Sequence, residues 1–261
     1  MPVSSNLYYS LYDDGGEETP PLVLLHGAGG THLYWPPEVR RLHGYRVYAL
    51  DLPGHGKSGA SEGQQTIGDF AKHVLLWLES VHLPRAVLVG HSMGSAVALA
   101  LAIHHPEHVL GLGLISAGAR LRVHPELLEN AANPSNFYKV VEMMVSFSFS
   151  PKTPPRLVEL ACKRMAETRQ SVLLGDLLAC NSFDVMDRLA SVHHLTLVIC
   201  GADDQLTPLR YAQYLANSIP AAQLNVIPNA GHMVMLEQPR AVADALLSFL
   251  RDVTFHPGEG F

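Results

Sequence analysis

Five residues constrain this chain more than any others. Gly90-His91-Ser92-Met93-Gly94 follows the apolar run Ala86-Val87-Leu88-Val89 and precedes a stretch of small residues from Ser95 to Ile103. The first run reads as a buried strand and the second as a helix packed close to it. A serine between glycines in a strand-turn-helix setting sits on a sharp, strained turn that lifts its hydroxyl above the sheet. Side chains two residues to either side would collide with the crossing backbone, which is why glycines stand there. Ser92 is the candidate nucleophile.

Two further segments fall in related places. Leu22-Val23-Leu24-Leu25 is a short buried-strand run ending in His26-Gly27-Ala28-Gly29-Gly30, a turn able to aim a backbone N–H at a developing oxyanion. Leu195-Thr196-Leu197-Val198-Ile199 is another such run, ending in Gly201-Ala202-Asp203-Asp204-Gln205-Leu206-Thr207-Pro208. After a strand at Leu224-Asn225-Val226-Ile227 comes Asn229-Ala230-Gly231-His232. The order along the chain is serine, aspartate, histidine, with Asp203 and Asp204 both available as the acid.

Together with Asp51-Leu52-Pro53-Gly54-His55-Gly56-Lys57-Ser58, these segments resemble the α/β-hydrolase superfamily, in particular its esterase-like, haloperoxidase-like branch. The resemblance runs from about residue 7 to 251. It implies a mostly parallel eight-stranded sheet flanked by helices, with a helical cap inserted after strand 6. The chain then divides into an N-terminal part of the core (1–118), the cap (119–190) and a C-terminal part of the core (191–261). Family spacing, G-x-x-D followed four residues later by Pro, selects Asp204 to orient His232. The backbone N–H groups of Ala28 and Met93 would hold the oxyanion. The resemblance casts His26, His91 and His55 as structural or supporting, and implies no cofactor. One departure is Ser95, where this branch usually carries a second glycine. Relatives that open epoxides or remove halides need an aspartate where this chain has Ser92.

Alternating strands and helices argue for a parallel sheet covered on both faces. Leu7 to Tyr12 reads as an early antiparallel edge, and Arg46 to Leu50 and Leu110 to Ile115 as further strands. Phe70, Val74, Leu75, Leu78 and Val81 give Ile67 to Val81 a helical period, and Tyr211 to Ile219 and Ala241 to Leu250 read the same way. Between Ala119 and Ala190 helical segments punctuated by Pro125, Pro134, Pro151, Pro154 and Pro155 replace this alternation. Within them Phe137, Met143, Met144, Phe147 and Phe149 are expected to line a lipophilic substrate pocket. The alternative is that they pack the cap onto the core. Asp184 and Asp187, at the exit of this segment, read as structural.

With 261 residues, 48% of them hydrophobic, the chain suits one well-buried core with an insertion. A net charge of −6 with 18 scattered basic residues leaves no electrostatic footprint for nucleic acid. No apolar run reaches membrane-spanning length and no signal-like segment opens the chain, so a cytoplasmic location is expected. Cys162, Cys180 and Cys200 lack paired spacing and read as buried thiols. His104-His105-Pro106-Glu107-His108 matches a zinc-binding H-x-x-E-H pattern, but Pro106 would break the helix that such a site needs, so no metal is expected. His193-His194 reads as solvated loop, and Thr254 to Phe261 as a frayed tail.

The expected activity is cleavage of small-molecule carboxylic esters with short to medium acyl chains, through an acyl-enzyme on Ser92. The same triad also serves carbon–carbon, thioester and lactone hydrolysis and perhydrolysis, and the fold can carry a ligand receptor.

Overall fold

The computed structural model describes residues 3–253 except Glu17 and Ser61. The expected frayed tail, Thr254 to Phe261, lies outside the described residues. In chain order the elements are β1 (Val3–Ser4), β2 (Leu7–Asp13), β3 (Leu22–Leu25), α1 (Pro37–Arg40), β4 (Arg46–Leu50), α2 (Ile67–Ser80), β5 (Ala86–His91), α3 (Met93–His104) and β6 (Val109–Ile115). Then follow α4 (Pro125–Ala132), α5 (Phe137–Ser148), α6 (Pro155–Met165), α7 (Gln170–Ser182), β7 (Thr196–Gly201), α8 (Leu209–Ser218), β8 (Ala222–Ile227), α9 (Val234–Glu237) and α10 (Pro239–Leu250).

The eight strands form one sheet in the order β1-β2-β4-β3-β5-β6-β7-β8. Only β1 with β2 and β2 with β4 pair antiparallel. The antiparallel strand expected at Leu7 to Tyr12 is present, but the two-residue β1 lies outside it and forms the edge. Strands β3, β5 and β7 are buried at every position, because a parallel sheet has helices on both faces and its strands read as continuous apolar runs. Successive residues nevertheless face opposite sides. Val23, Leu25 and Leu88 pack with Phe70, Val74, Trp77, Val97 and Leu101 of α2 and α3, whereas Leu22, Leu24, Val87 and Val89 pack with Val242, Leu246 and Phe249 of α10.

The strand order places the site. From β3 the chain steps to β4 on one side and then crosses back to β5 on the other, so the loops leaving β3 and β5 diverge. Crevices at such reversals, beyond the carboxyl ends of the strands, are where open α/β sheets bind ligands. The register pairs Leu25 with Gly90, which sets His26-Gly27-Ala28 beside His91-Ser92.

Helices α4 to α7 all lie between β6 and β7. Pro125 and Pro155 occupy the first positions of α4 and α6, where a missing N–H costs nothing, so they start helices. Helix α3 stops at His104, and Pro106 opens a separate short turn, Pro106–His108. The histidines of the H-x-x-E-H pattern therefore do not share a helix. Among the described residues no group of three or more His, Cys, Asp or Glu side chains converges as a metal site. No helix of the described residues is long and apolar enough to cross a membrane.

Candidate active site

Ser92 lies between β5 and α3 with φ 51° and ψ −114°, a conformation that L-residues avoid and glycine tolerates. The surroundings hold it there. Its N–H donates to Ile115 O at 2.9 Å, and its carbonyl accepts from Ser95 N–H at 2.9 Å. A Cβ on Gly90 would stand 2.2 Å from Gly94 O, and one on Gly94 would stand 2.1 Å from Leu25 O, so neither glycine can be replaced without moving backbone. Ser95, in place of the usual glycine, is fully buried without loosening the turn. Its hydroxyl lies 2.6 Å from Gly90 O and 3.1 Å from Ile115 O, and so straps the turn to both flanking strands. The Met93 N–H, at the first position of α3, has no acceptor within its helix, and the helix dipole adds partial positive charge there.

The structure separates the two adjacent acids. Asp204 Oδ1 accepts from the N–H groups of Leu206 and Thr207, both at 2.9 Å, and Oδ2 accepts from the Thr207 hydroxyl at 2.9 Å. His232 Nδ1 stands 3.0 Å from Oδ2 and 3.1 Å from Oδ1 of the same carboxylate. Asp203 instead accepts from Ser150 Oγ at 2.6 Å. Burial pushes the Asp204 carboxyl up, but His232, the Thr207 N–H and the Thr207 hydroxyl outweigh it and hold the group below its ordinary range. A carboxylate on Nδ1 puts the imidazole proton there and leaves the Nε2 lone pair available as a base.

The backbone that carries His232 is gripped from three sides. His91 Nε2 donates to His232 O at 2.9 Å and Ser116 Oγ donates to the same oxygen at 2.8 Å. Glu237 Oε2 accepts from Gly231 N–H at 2.7 Å, while Oε1 accepts from Ser150 N–H at 2.8 Å and from the Thr153 hydroxyl. Burial, followed by the neighbouring His232, brings the His91 pKa down to about 3. His26 is also brought down to about 3, by burial and then by His55. Its Nε2 accepts from Leu52 N–H at 3.0 Å and its Nδ1 donates to Gly27 O at 2.8 Å, a supporting arrangement for the loop after β3.

Ser92, His232 and Ala28 line one cavity of about 560 Å³. Of the five apolar residues expected around it, Met143, Met144 and Phe147 line it, and two do not. Phe137 begins α5, seven residues before Met144, and two helical turns of about 10 Å carry it away from the cavity. It packs instead against Tyr138 and the core. Phe149 lies just past the end of α5, where the chain is extended, and turns into a separate groove with Val145, Pro151 and Val158. The sequence reading missed Leu121, Leu177, Cys180, Tyr211 and Met233, which also belong to the apolar lining. It also missed Thr207, Ser116, Glu237 and Asp176. Of these Thr207 alone had a local signal, three residues after Asp204 in the spacing by which an aspartate caps a turn.

A family model described as the alpha/beta hydrolase fold matches residues 20–239. Over 247 residues the chain is 33% identical to the dihydrolipoyllysine-residue acetyltransferase component of the acetoin cleaving system of Pseudomonas putida, covering 92% of this chain and 66% of that longer protein, just under two thirds of its length. It is 29% identical over 264 residues to the pimeloyl-[acyl-carrier protein] methyl ester esterase of Vibrio vulnificus, covering 95% of this chain and 99% of that one. Among solved structures, a thermophilic esterase from Thermogutta terrifontis superposes with a TM-score of 0.86 at 26% identity, covering 95% of this chain and 94% of that one. With its fold, strand order and family match in agreement, the chain belongs to the α/β-hydrolase fold family.

Proposed function

We propose that this chain is a serine hydrolase of carboxylic esters with short to medium acyl chains and an apolar body. The observation that carries the reading is the Asp204 carboxylate 3.0 Å from Nδ1 of His232, which itself lines one cavity with the strained Ser92. Two of the three relatives named above are esterases by name. Helices α4 to α7, with the segments that join them, serve as the cap, contributing most of the apolar wall over the nucleophile.

In this mechanism Ser92 Oγ attacks the ester carbonyl while His232 Nε2 takes its proton. Asp204 keeps the second imidazole proton on Nδ1 and stabilises the imidazolium that forms. The carbonyl oxygen becomes an oxyanion and is held by the N–H groups of Ala28 and Met93. Collapse of the tetrahedral intermediate breaks the C–O bond, and His232 returns its proton to the departing alcohol. Water, deprotonated by the same nitrogen, then releases the acid and regenerates Ser92. No step draws on a cofactor.

Ser92→Ala should abolish turnover of a p-nitrophenyl butyrate substrate while leaving the melting temperature within a few degrees, because a hydroxyl facing a cavity contributes little packing. Mass spectrometry after fluorophosphonate treatment should find a single adduct on Ser92. An adduct elsewhere, or undiminished turnover by the alanine variant, would overturn the assignment. A slow single turnover in the wild type would favour a ligand receptor.

A further inference from the structure

The N–H and C=O of Gly29 are both held by the helical segment between β6 and β7. Asp176 Oδ2, on α7, accepts from Gly29 N–H at 2.8 Å, and Thr168 Oγ1, just before α7, donates to Gly29 O at 3.1 Å. Gly29 sits at φ +63° in the turn closed by Gly30 N–H to Gly27 O at 3.1 Å, directly after Ala28. A Cβ on Gly29 would press on Leu173 of α7 and Met165 of α6, while Val172 and Gly175 of α7 pack against Gly54, Gly63 and Gln64 of the segment after β4.

Asp176 is fully buried and has a second partner. Its Oδ2 also lies 2.8 Å from His55 Nε2, while His55 Nδ1 lies 3.0 Å from Pro53 O. Both ring nitrogens face oxygens, an arrangement that favours the imidazolium form of His55. Burial pushes its pKa down, but the Asp176 carboxylate outweighs this and leaves it raised. A buried ion pair gains little over an apolar pair of the same size and is strongly destabilising when one partner is removed. One oxygen shared between His55 and the Gly29 N–H gives the loop a fixed position.

Building on the ester hydrolase reading, we propose that Asp176 is a positioning residue for the oxyanion. Anchored on His55, it fixes the Gly27–Gly30 turn so that the Ala28 N–H points into the cavity, and so makes the pocket-shaping segment a support of the reacting groups. Asp176 touches no substrate. It acts through Gly29 on a donor whose benefit appears only as negative charge develops, so its loss should fall on kcat and leave KM nearly unmoved.

The test measures kcat per active site, counted by fluorophosphonate labelling of Ser92, together with affinity for a trifluoromethyl ketone that adds to the serine and mimics the oxyanion. Deleting an oxyanion donor outright costs about 10² to 10³ in rate, and a displaced donor should cost less. Asp176→Ala should therefore lower kcat per labelled site by roughly 10- to 100-fold and weaken the ketone by a similar factor, with KM within about threefold. Asp176→Asn can place its amide oxygen where Oδ2 stands, accepting from Gly29 N–H and from the Nε2–H of a neutral His55, and should restore kcat to within about fivefold of wild type. Thr168→Val, which removes only the donor to Gly29 O, should lower kcat by about two- to fivefold at unchanged melting temperature.

If Asp176→Ala lowers the melting temperature or the labelled fraction but leaves kcat per labelled site and ketone affinity unchanged, the role is structural and the proposal is overturned. Should that variant not fold, unchanged kcat in Thr168→Val overturns it equally. A wild-type chain unlabelled at Ser92 overturns the hydrolase reading and this proposal with it. A labelled wild type beside an unaffected Asp176→Ala overturns this proposal alone.

Discussion

Asp204 accepts from two backbone N–H groups, the Thr207 hydroxyl and His232, whereas Asp203 accepts from Ser150 Oγ. Replacing either carboxylate by its amide keeps the volume and removes the charge, so the pair isolates the electrostatic role. Asp204→Asn should lower kcat by on the order of 10³ to 10⁴, as loss of tautomer control does in serine proteases, because an amide can present an N–H to His232 Nδ1 and displace its proton. Asp203→Asn should leave kcat within about threefold, since a neutral oxygen still accepts the Ser150 hydroxyl. The reverse pattern in steady-state kinetics would move the acid by one residue. At this scale the sequence was legible where chemistry depends on local spacing. The glycines around Ser92 could be read directly, because the turn they build is short, whereas the residues alone left Asp203 and Asp204 open and only the family's spacing chose between them. Asp176 could not, since its partners Gly29 and His55 lie 147 and 121 residues away in the chain.

Helices α5 and α7 show what periodicity does and does not carry. In α2 the stripe Phe70, Val74, Trp77 and Leu78 is buried against the sheet, and the sequence reading found the helix within a residue of its end. In α5 the same kind of stripe has two apolar neighbours to choose from, the core and the cavity, and helical spacing does not say which one each residue meets. Hence Met143, Met144 and Phe147 face the cavity while Phe137 of the same helix does not, and Phe149, just past its end, lines a different groove. In α7 Val172, Leu173, Asp176, Leu177 and Cys180 are all buried, so no polar face exists to reveal its orientation. The division within α5 has a kinetic consequence. Each substrate methylene buried against the wall gains about 0.8 kcal/mol, close to fourfold in kcat/KM, until the cavity is full. Phe147→Ala should shift the preferred acyl length upward with little loss of stability, because that side chain is half exposed. Phe149→Ala should cost about 3 to 5 kcal/mol of stability and leave the acyl profile unmoved, since Phe149 is buried beside a different groove. Melting temperatures and a p-nitrophenyl ester series on the same two variants check both; an acyl profile moved by Phe149→Ala would place it in the pocket after all.

Over the whole molecule, the order of strands and helices was enough to foresee a mostly parallel sheet. What that order did not foresee is how acid should undo the fold. His26 and His91 are neutral and fully enclosed, each brought down to about 3 mainly by burial, and each takes up a proton near 6.5 once unfolded. A depressed histidine pKa means that the unfolded chain binds more protons, so stability is full above about pH 6.5 and falls as pH drops towards 3. Each histidine adds a slope of roughly 1 kcal/mol per pH unit in that window, and the two together roughly twice that. His55 works in the opposite sense. Its raised value gives stability that is fully present below 6.5 and lost only as pH rises through its folded value, so it adds nothing to the acid slope. Asp51 and Asp204, held below their ordinary range, weaken the fold only at lower pH still. Two units of acidification below 6.5 thus remove several kcal/mol, a large share of the stability of many domains, and unfolding should set in near pH 4 to 5. Urea titrations from pH 7.5 to 4.5 should show this slope. His91→Gln, which can still donate to His232 O but does not titrate, should roughly halve it whatever the change in absolute stability. A slope that is flat from pH 6 to 4.5, or unchanged in His91→Gln, would show that these histidines do not govern the acid limit.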